Sequence, residues 1–120
     1  MCLTFWSILI DNTFHCLILS YIGAGAICHP NVIISDNCYI GENANVAHNT
    51  TISKHSYIGA NSVIAGGCII GECVTVGLGA IIRAQTKIFN NTTIGMGVTI
   101  HHDILSQENI VFNQLEKNGY

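Results

Sequence analysis

The chain has 120 residues, enough for one domain with a modest core, and only 9% of them are charged. Its net charge of −3, with Lys54, Arg83, Lys87 and Lys117 as the basic residues, argues against a nucleic-acid partner. Six cysteines at spacings that fit neither a disulfide framework nor a zinc site point to a reducing, cytoplasmic compartment.

Residues 1–15, MCLTFWSILIDNTFH, are aromatic-rich and show no repeat, and we expect them to cap the fold that follows. They lack the charged start of a signal peptide. Asp11 breaks their apolar run well short of a bilayer span, so no membrane partner is expected. Residues 16–21 pass as a first six-residue unit, and from 22 to 105 the chain divides into fourteen hexapeptides without insertion or deletion. Their first positions run from Ile22, Cys28, Ile34 and Ile40 to Ile94 and Ile100, and all but Cys28 are Ile or Val. Fifth positions such as Ala26, Ala44, Thr50, Ser56, Ser62, Cys68 and Ala80 are mostly small. Four residues apart on an extended segment, first and fifth positions share a face, and large against small would fill a narrow interior. Cys28, Cys38 and Cys68 fall on that face as small apolar fillers.

Fourth positions mark the turns. Gly25, Asn31, Asn37, Asn43, Asn49, His55, Asn61, Gly67, Cys73, Gly79, Gln85, Asn91, Gly97 and Asp103 are mostly types that tolerate positive φ. The glycosylation-like Asn49-Thr50-Thr51 and Asn91-Thr92-Thr93 therefore read as turn chemistry. A second period, Gly23, Gly41, Gly59, Gly77 and Gly95, is eighteen residues, or three hexapeptides. The expectation is an all-β, left-handed parallel β-helix of about five three-sided coils over residues 16–105. Sixth positions point outward, and Ile27, Ile33, Val63, Ile69 and Ile81 among them suggest a face buried between protomers. Residues 106–120 form a terminal strand or tail.

These hexapeptides resemble the hexapeptide-repeat acyltransferases, most closely the sugar acetyltransferases acting on sialic acid or nucleotide-linked amino sugars. The likeness covers roughly residues 20–105. It implies a homotrimer that takes acetyl-CoA as co-substrate in a groove between coils and moves its acetyl group to a hydroxyl or amine of a sugar-type acceptor. The family's general-base histidine lies in a segment similar to His48-Asn49-Thr50-Thr51-Ile52-Ser53, so the resemblance assigns the catalytic role to His48, with Asn49 beside it. His48 independently occupies a third position, where Pro30, Asp36, Glu42 and Lys54 mark a solvent-facing corner. Histidine titrates near neutrality, as proton abstraction in acyl transfer requires. The same likeness points to Tyr57, Gly66, Gly67, Leu78, Gly79 and Met96 as the residues along which CoA lies.

Four departures accompany the resemblance. Asn49 replaces an acidic neighbour and cannot supply a negative charge to raise the base's pKa. Tyr57 matches the family's second histidine. The Gly-Asn-Pro-Ala segment that helps hold CoA is matched only by Val111-Phe112-Asn113-Gln114, and the amino-terminal sugar-binding domain of many relatives has no counterpart. The alternative function is therefore a trimeric β-helix scaffold that has lost catalysis. A γ-type carbonic anhydrase needs histidines about two coils apart, but 36 residues after His48 stands Ala84, so no metal site is expected. His55 reads as a corner residue, and His29, His101 and His102 carry no motif.

Overall fold

The computed structural model describes residues 20–111, together with three short strands in the stretch before them. Among the described residues, eighteen parallel strands, each two residues long, stack into three sheets. The first sheet runs β1 (Leu3–Thr4), β4 (Tyr21–Ile22), β7 (Tyr39–Ile40), β10 (Tyr57–Ile58), β13 (Thr75–Val76), β16 (Thr93–Ile94) and β18 (Asn109–Ile110). The second holds β2 (Leu9–Ile10), β5 (Ile27–Cys28), β8 (Asn45–Val46), β11 (Val63–Ile64), β14 (Ile81–Ile82) and β17 (Thr99–Ile100). The third holds β3 (His15–Cys16), β6 (Ile33–Ile34), β9 (Thr51–Ile52), β12 (Ile69–Ile70) and β15 (Lys87–Ile88). The chain visits the sheets in rotation, so the result is a three-sided parallel β-solenoid of about five turns.

The register follows the sequence period. Tyr39 faces Tyr57, Asn45 faces Val63 and Thr51 faces Ile69, eighteen residues apart in every case. In each strand from β4 to β18 the second residue is buried and the first is half-buried or exposed. All fourteen first positions and all fourteen fifth positions are at most 3% exposed. Thirteen of the fourteen expected corner residues, from Gly25 to Gly97 in steps of six, hold φ between 54° and 75°. Those left-handed residues turn the chain at each edge.

The column of glycines at eighteen-residue spacing has a steric cause. A Cβ on Gly59 would stand 2.7 Å from the backbone N of Leu78 and 2.8 Å from the carbonyl oxygen of Val76. At Gly77 the same atom would meet the carbonyl carbon of Gly95 and the N of Met96 at 2.6 Å. Along this line successive coils touch backbone to backbone.

Small polar side chains inside the solenoid bond to the next coil. Ser56 Oγ donates to the Gly71 carbonyl at 2.7 Å and accepts from the Val74 N–H at 3.2 Å. Thr50 reaches the Ala65 carbonyl, and the thiols of Cys38 and Cys68 reach those of Ser53 and Arg83, each fifteen residues on. Burial pushes the Cys28 thiol up to about 12 and raises those of Cys38 and Cys68 as well. They are inert core residues, as the repeat implied.

Two regions differ from the hexapeptide reading. The stretch expected to be a non-repeating cap contributes Leu3–Thr4, Leu9–Ile10 and His15–Cys16, paired in step with β4, β5 and β6. At the other end the fourteenth hexapeptide is two residues short. Ile104 bridges Ile88 and Asn109 faces Thr93, both sixteen residues apart. Asp103 is accordingly absent from the left-handed residues. Its carboxylate accepts the Lys87 N–H at 2.9 Å, where earlier coils offer a backbone carbonyl. Next to this end, the buried hydroxyl of Thr92 has no partner among the described residues. The expected terminal strand or tail over 106–120 includes the strand Asn109–Ile110, and its residues 112–120, with the rest of residues 1–19, lie outside the described residues.

Candidate active site

The edge between the second and third sheets presents, coil by coil, the third positions Pro30, His48, Gly66 and Ala84 and the fourth positions Asn31, Asn49, Gly67 and Gln85. Asn49 takes φ 59° there, and this turn throws His48 out to solvent. Backbone hydrogen bonds hold the edge in register: Asn49 N–H to the Pro30 carbonyl at 3.1 Å, Gly67 N–H to that of His48 at 2.9 Å and Gln85 N–H to that of Gly66 at 2.8 Å.

The His48 side chain does not extend freely. Its imidazole runs along the solenoid axis and lies over Gly66, so that a Cβ on Gly66 would be 2.7 Å from both Nε2 and Cε1. Gly66 is not left-handed, and its N–H donates no hydrogen bond among the described residues. A proton acceptor and an uncommitted backbone donor therefore stand side by side. Across the edge, Gln85 Cγ covers Gly67, 3.3 Å from the place a Cβ would take.

Of the expected site residues, this edge unites His48, Asn49, Gly66 and Gly67. Leu78, Gly79 and Met96 stand on a different edge, between the first and second sheets. There Leu78 and Met96 are 46% and 74% exposed, and Gly79 turns at φ 70° with open space around it. The second sheet, with Val63 and Ile81 exposed on its outer face, lies between the two edges. Tyr57 belongs to the first sheet, on the side of the solenoid away from His48. A single protomer does not bring Tyr57 and His48 together.

Tyr57 instead ends a ladder. Tyr21, Tyr39 and Tyr57 stack with ring centroids 4.7 Å apart and planes within 10°. Glu42 accepts hydrogen bonds from Tyr21 at 2.8 Å and Tyr39 at 3.2 Å. The bond to Glu42 raises the Tyr21 phenol to about 12, and the same bond lowers the Glu42 carboxyl. Sequence reasoning missed this network, although three tyrosines eighteen residues apart at outward positions carry the signal. His55 is a corner residue, as expected: it has φ 62° and its Nδ1 accepts from Asn37 Nδ2 at 2.9 Å. His29 Nε2 lies 3.1 Å from Asn45 Oδ1. Among the described residues no group of His, Cys, Asp or Glu could hold a metal ion.

No family model matches the chain, and no curated protein matches it. Solved structures do. The acetyltransferase domain of PglB from Neisseria gonorrhoeae, in complex with acetyl coenzyme A, superposes with a TM-score of 0.84 at 24% identity over 86% of this chain and 50% of that one. PerB from Caulobacter crescentus, in complex with CoA and GDP-perosamine, gives 0.79 at 21% identity over 89% of this chain and 51% of that one. A hexapeptide transferase family protein from Anaplasma phagocytophilum gives 0.54 at 19% identity over 79% of this chain and 66% of that one. The chain thus spans about half the length of the first two. Its fold is the hexapeptide-repeat β-helix of these acetyltransferase structures.

Proposed function

We propose that this chain is the β-helix of an acetyl-CoA-dependent acetyltransferase, with a hydroxyl or amine of a sugar-type molecule as acceptor and His48 as general base. The observation that carries this reading is the pairing at one exposed edge of the His48 imidazole with the free N–H of Gly66. Acyl transfer from a thioester needs both. The acceptor's oxygen or nitrogen attacks the acetyl carbonyl while His48 Nε2 takes its proton. The carbonyl oxygen becomes an oxyanion, for which the Gly66 N–H, uncommitted among the described residues, is an available donor. Collapse breaks the carbon–sulfur bond, the imidazolium returns the proton to the CoA thiolate, and no covalent enzyme intermediate forms. Asn49 is held as a turn residue and adds no charge behind the base, so the reaction relies on placement more than on basicity.

The chain acts in a homotrimer in this reading. Ile33, Val63, Ile69 and Ile81, each 39–48% exposed on the second and third sheets, flank the His48 edge on both sides. Covering those faces would place His48 in a cleft between protomers and could bring a neighbour's Tyr57 or Leu78 edge toward it. Isothermal titration with acetyl-CoA, followed by thiol release across a panel of amino sugars and sialic acid, tests the proposal. Binding with turnover supports it. Absence of both favours the scaffold reading, to which Asn49 in place of an acid also points.

A further inference from the structure

We propose that Gly66 is a positioning residue for His48: the space left by its missing side chain is the seat of the imidazole, and it fixes where Nε2 faces. This inference rests on the catalytic reading of His48 and assigns Gly66 a role distinct from contact with CoA. Two independent observations carry it. The first is the approach itself, with Nε2 and Cε1 both 2.7 Å from the site of an absent Cβ, closer than any real Cβ would allow. The second is that nothing else requires glycine there. Gly66 is neither left-handed nor pressed against another backbone, unlike Gly25, Gly67 and Gly79 in the first respect and Gly41, Gly59 and Gly77 in the second. The three atoms nearest its missing Cβ all belong to the His48 ring.

The physical consequence is a rotamer choice. With glycine at 66, the imidazole lies over the Gly66 backbone, its Nε2 and Cε1 each 2.7 Å from where a Cβ would stand. With any Cβ at 66, the ring must swing out by rotating about χ1 or χ2, which carries Nε2 away from the backbone donor. A misplacement of about 1 Å at a reacting atom is enough to cost on the order of 10²-fold in rate. Alanine is the incisive substitution, since it keeps the N–H, suits the backbone conformation and adds only the atom in question.

The test is a cycle of Gly66→Ala, His48→Ala and the double variant, read by three measurements. In the free protein, NMR titration follows the His48 ring resonances. Gly66→Ala should shift the His48 signals and leave those of His29 and His55 in place. In turnover, Gly66→Ala should lower kcat on the order of 10²-fold with acetyl-CoA affinity within about twofold of the parent, and should add nothing once His48 is alanine. In stability, Gly66→Ala should be at most mildly destabilising in the parent, where the exposed ring can rotate clear of the new Cβ, and harmless beside His48→Ala, where no ring competes for the space. Unmoved His48 resonances in Gly66→Ala overturn the seat. So does weakened acetyl-CoA binding in both backgrounds, which would make Gly66 a CoA contact, or misfolding in both, which would mean the backbone needs the glycine. If the parent transfers no acetyl group, the catalytic reading falls, while the NMR and stability arms still decide whether Gly66 seats the ring.

Discussion

Replacing Gly59 by alanine tests the backbone contact between coils against the turn geometry that glycine usually serves. The added Cβ would stand 2.7 Å from the Leu78 N and 2.8 Å from both the Gly77 carbonyl carbon and the Val76 carbonyl oxygen, where ordinary contact begins at 3.4 Å. The overlap of 0.7 Å (3.4 − 2.7) falls on backbone, which cannot rotate away. It also presses on the 2.8 Å bond from the Gly59 N–H to the Val76 carbonyl. Overpacking of this kind costs about 1–3 kcal/mol. The entropy lost by the unfolded chain on Gly→Ala returns only about 0.4–1 kcal/mol. With three backbone atoms in overlap, the net cost should sit in the upper half of that range, and at roughly 4 °C per kcal/mol for a chain of this length the midpoint should fall by about 8–12 °C. Two controls separate the causes. Gly79→Ala meets nothing within 4 Å but must adopt φ 70°, so it should lose about 1–2 kcal/mol. Gly95→Ala meets its nearest atom at 3.2 Å, where a small shift suffices, and should be near neutral. Thermal melts followed by circular dichroism should rank the losses Gly59, Gly79, Gly95. If Gly59→Ala melts with Gly79→Ala or above it, close approach of the coils is not why the glycines recur.

Three further outcomes follow from individual contacts. Ser56→Ala strips the Val74 N–H and the Gly71 carbonyl of a buried partner and should cost about 1–3 kcal/mol in urea denaturation, whereas Thr92→Val removes a hydroxyl that has no partner and should be neutral or stabilising. The Tyr21 phenol is raised above its unfolded value near 10, so its contribution to stability is complete below pH 10 and is lost as the pH climbs toward 12. Spectrophotometric titration of tyrosine should show one late-ionising group near pH 12 that moves back toward 10 in Glu42→Ala. Changing Ile69 and Ile81 to lysine together should yield a smaller species in light scattering than the parent, whereas a parent that is monomeric at high concentration would remove the basis for a trimer.

Much of the fold was legible because a solenoid repeats its physics every six residues. An interior too narrow for two large side chains at one level demands Ile against Ala, Ser, Thr or Cys, and the alternation can be counted without structure. Left-handed corners are equally visible wherever Gly or Asn fills them, and even the less permissive Cys73 and Gln85 were placed by period alone. The errors came where one residue fits two registers. Ile104 suits an interior fifth position on paper, yet it pairs with Ile88 as an interior first position once two residues are missing from the corner. At the amino end, Leu3, Leu9 and His15 keep the six-residue step, but the bulky residues between them hid it. The glycine column revealed three-sidedness, while its cause needed the distance between coils.

The candidate site was legible only in part. Corner position and the family-like segment singled out His48, and the eighteen-residue step places Gly66 directly above it. What sequence could not supply was the direction of the imidazole, which depends on a rotamer and on an atom that Gly66 lacks. The expected CoA residues span the coils after His48, and a run of coils does not by itself tell the three edges apart. Sorting them by hexapeptide number separates Leu78, Gly79 and Met96 from Gly66 and Gly67 and sends Tyr57 to the far side.

The most direct test compares parent and His48→Ala for thiol release from saturating acetyl-CoA in the presence of the best acceptor, with acetyl-CoA affinity measured alongside. A positioned base supplies about 10²–10⁴-fold, so His48→Ala should lose that much in rate while binding acetyl-CoA as the parent does. Equal rates in the two proteins would show that His48 is not the base.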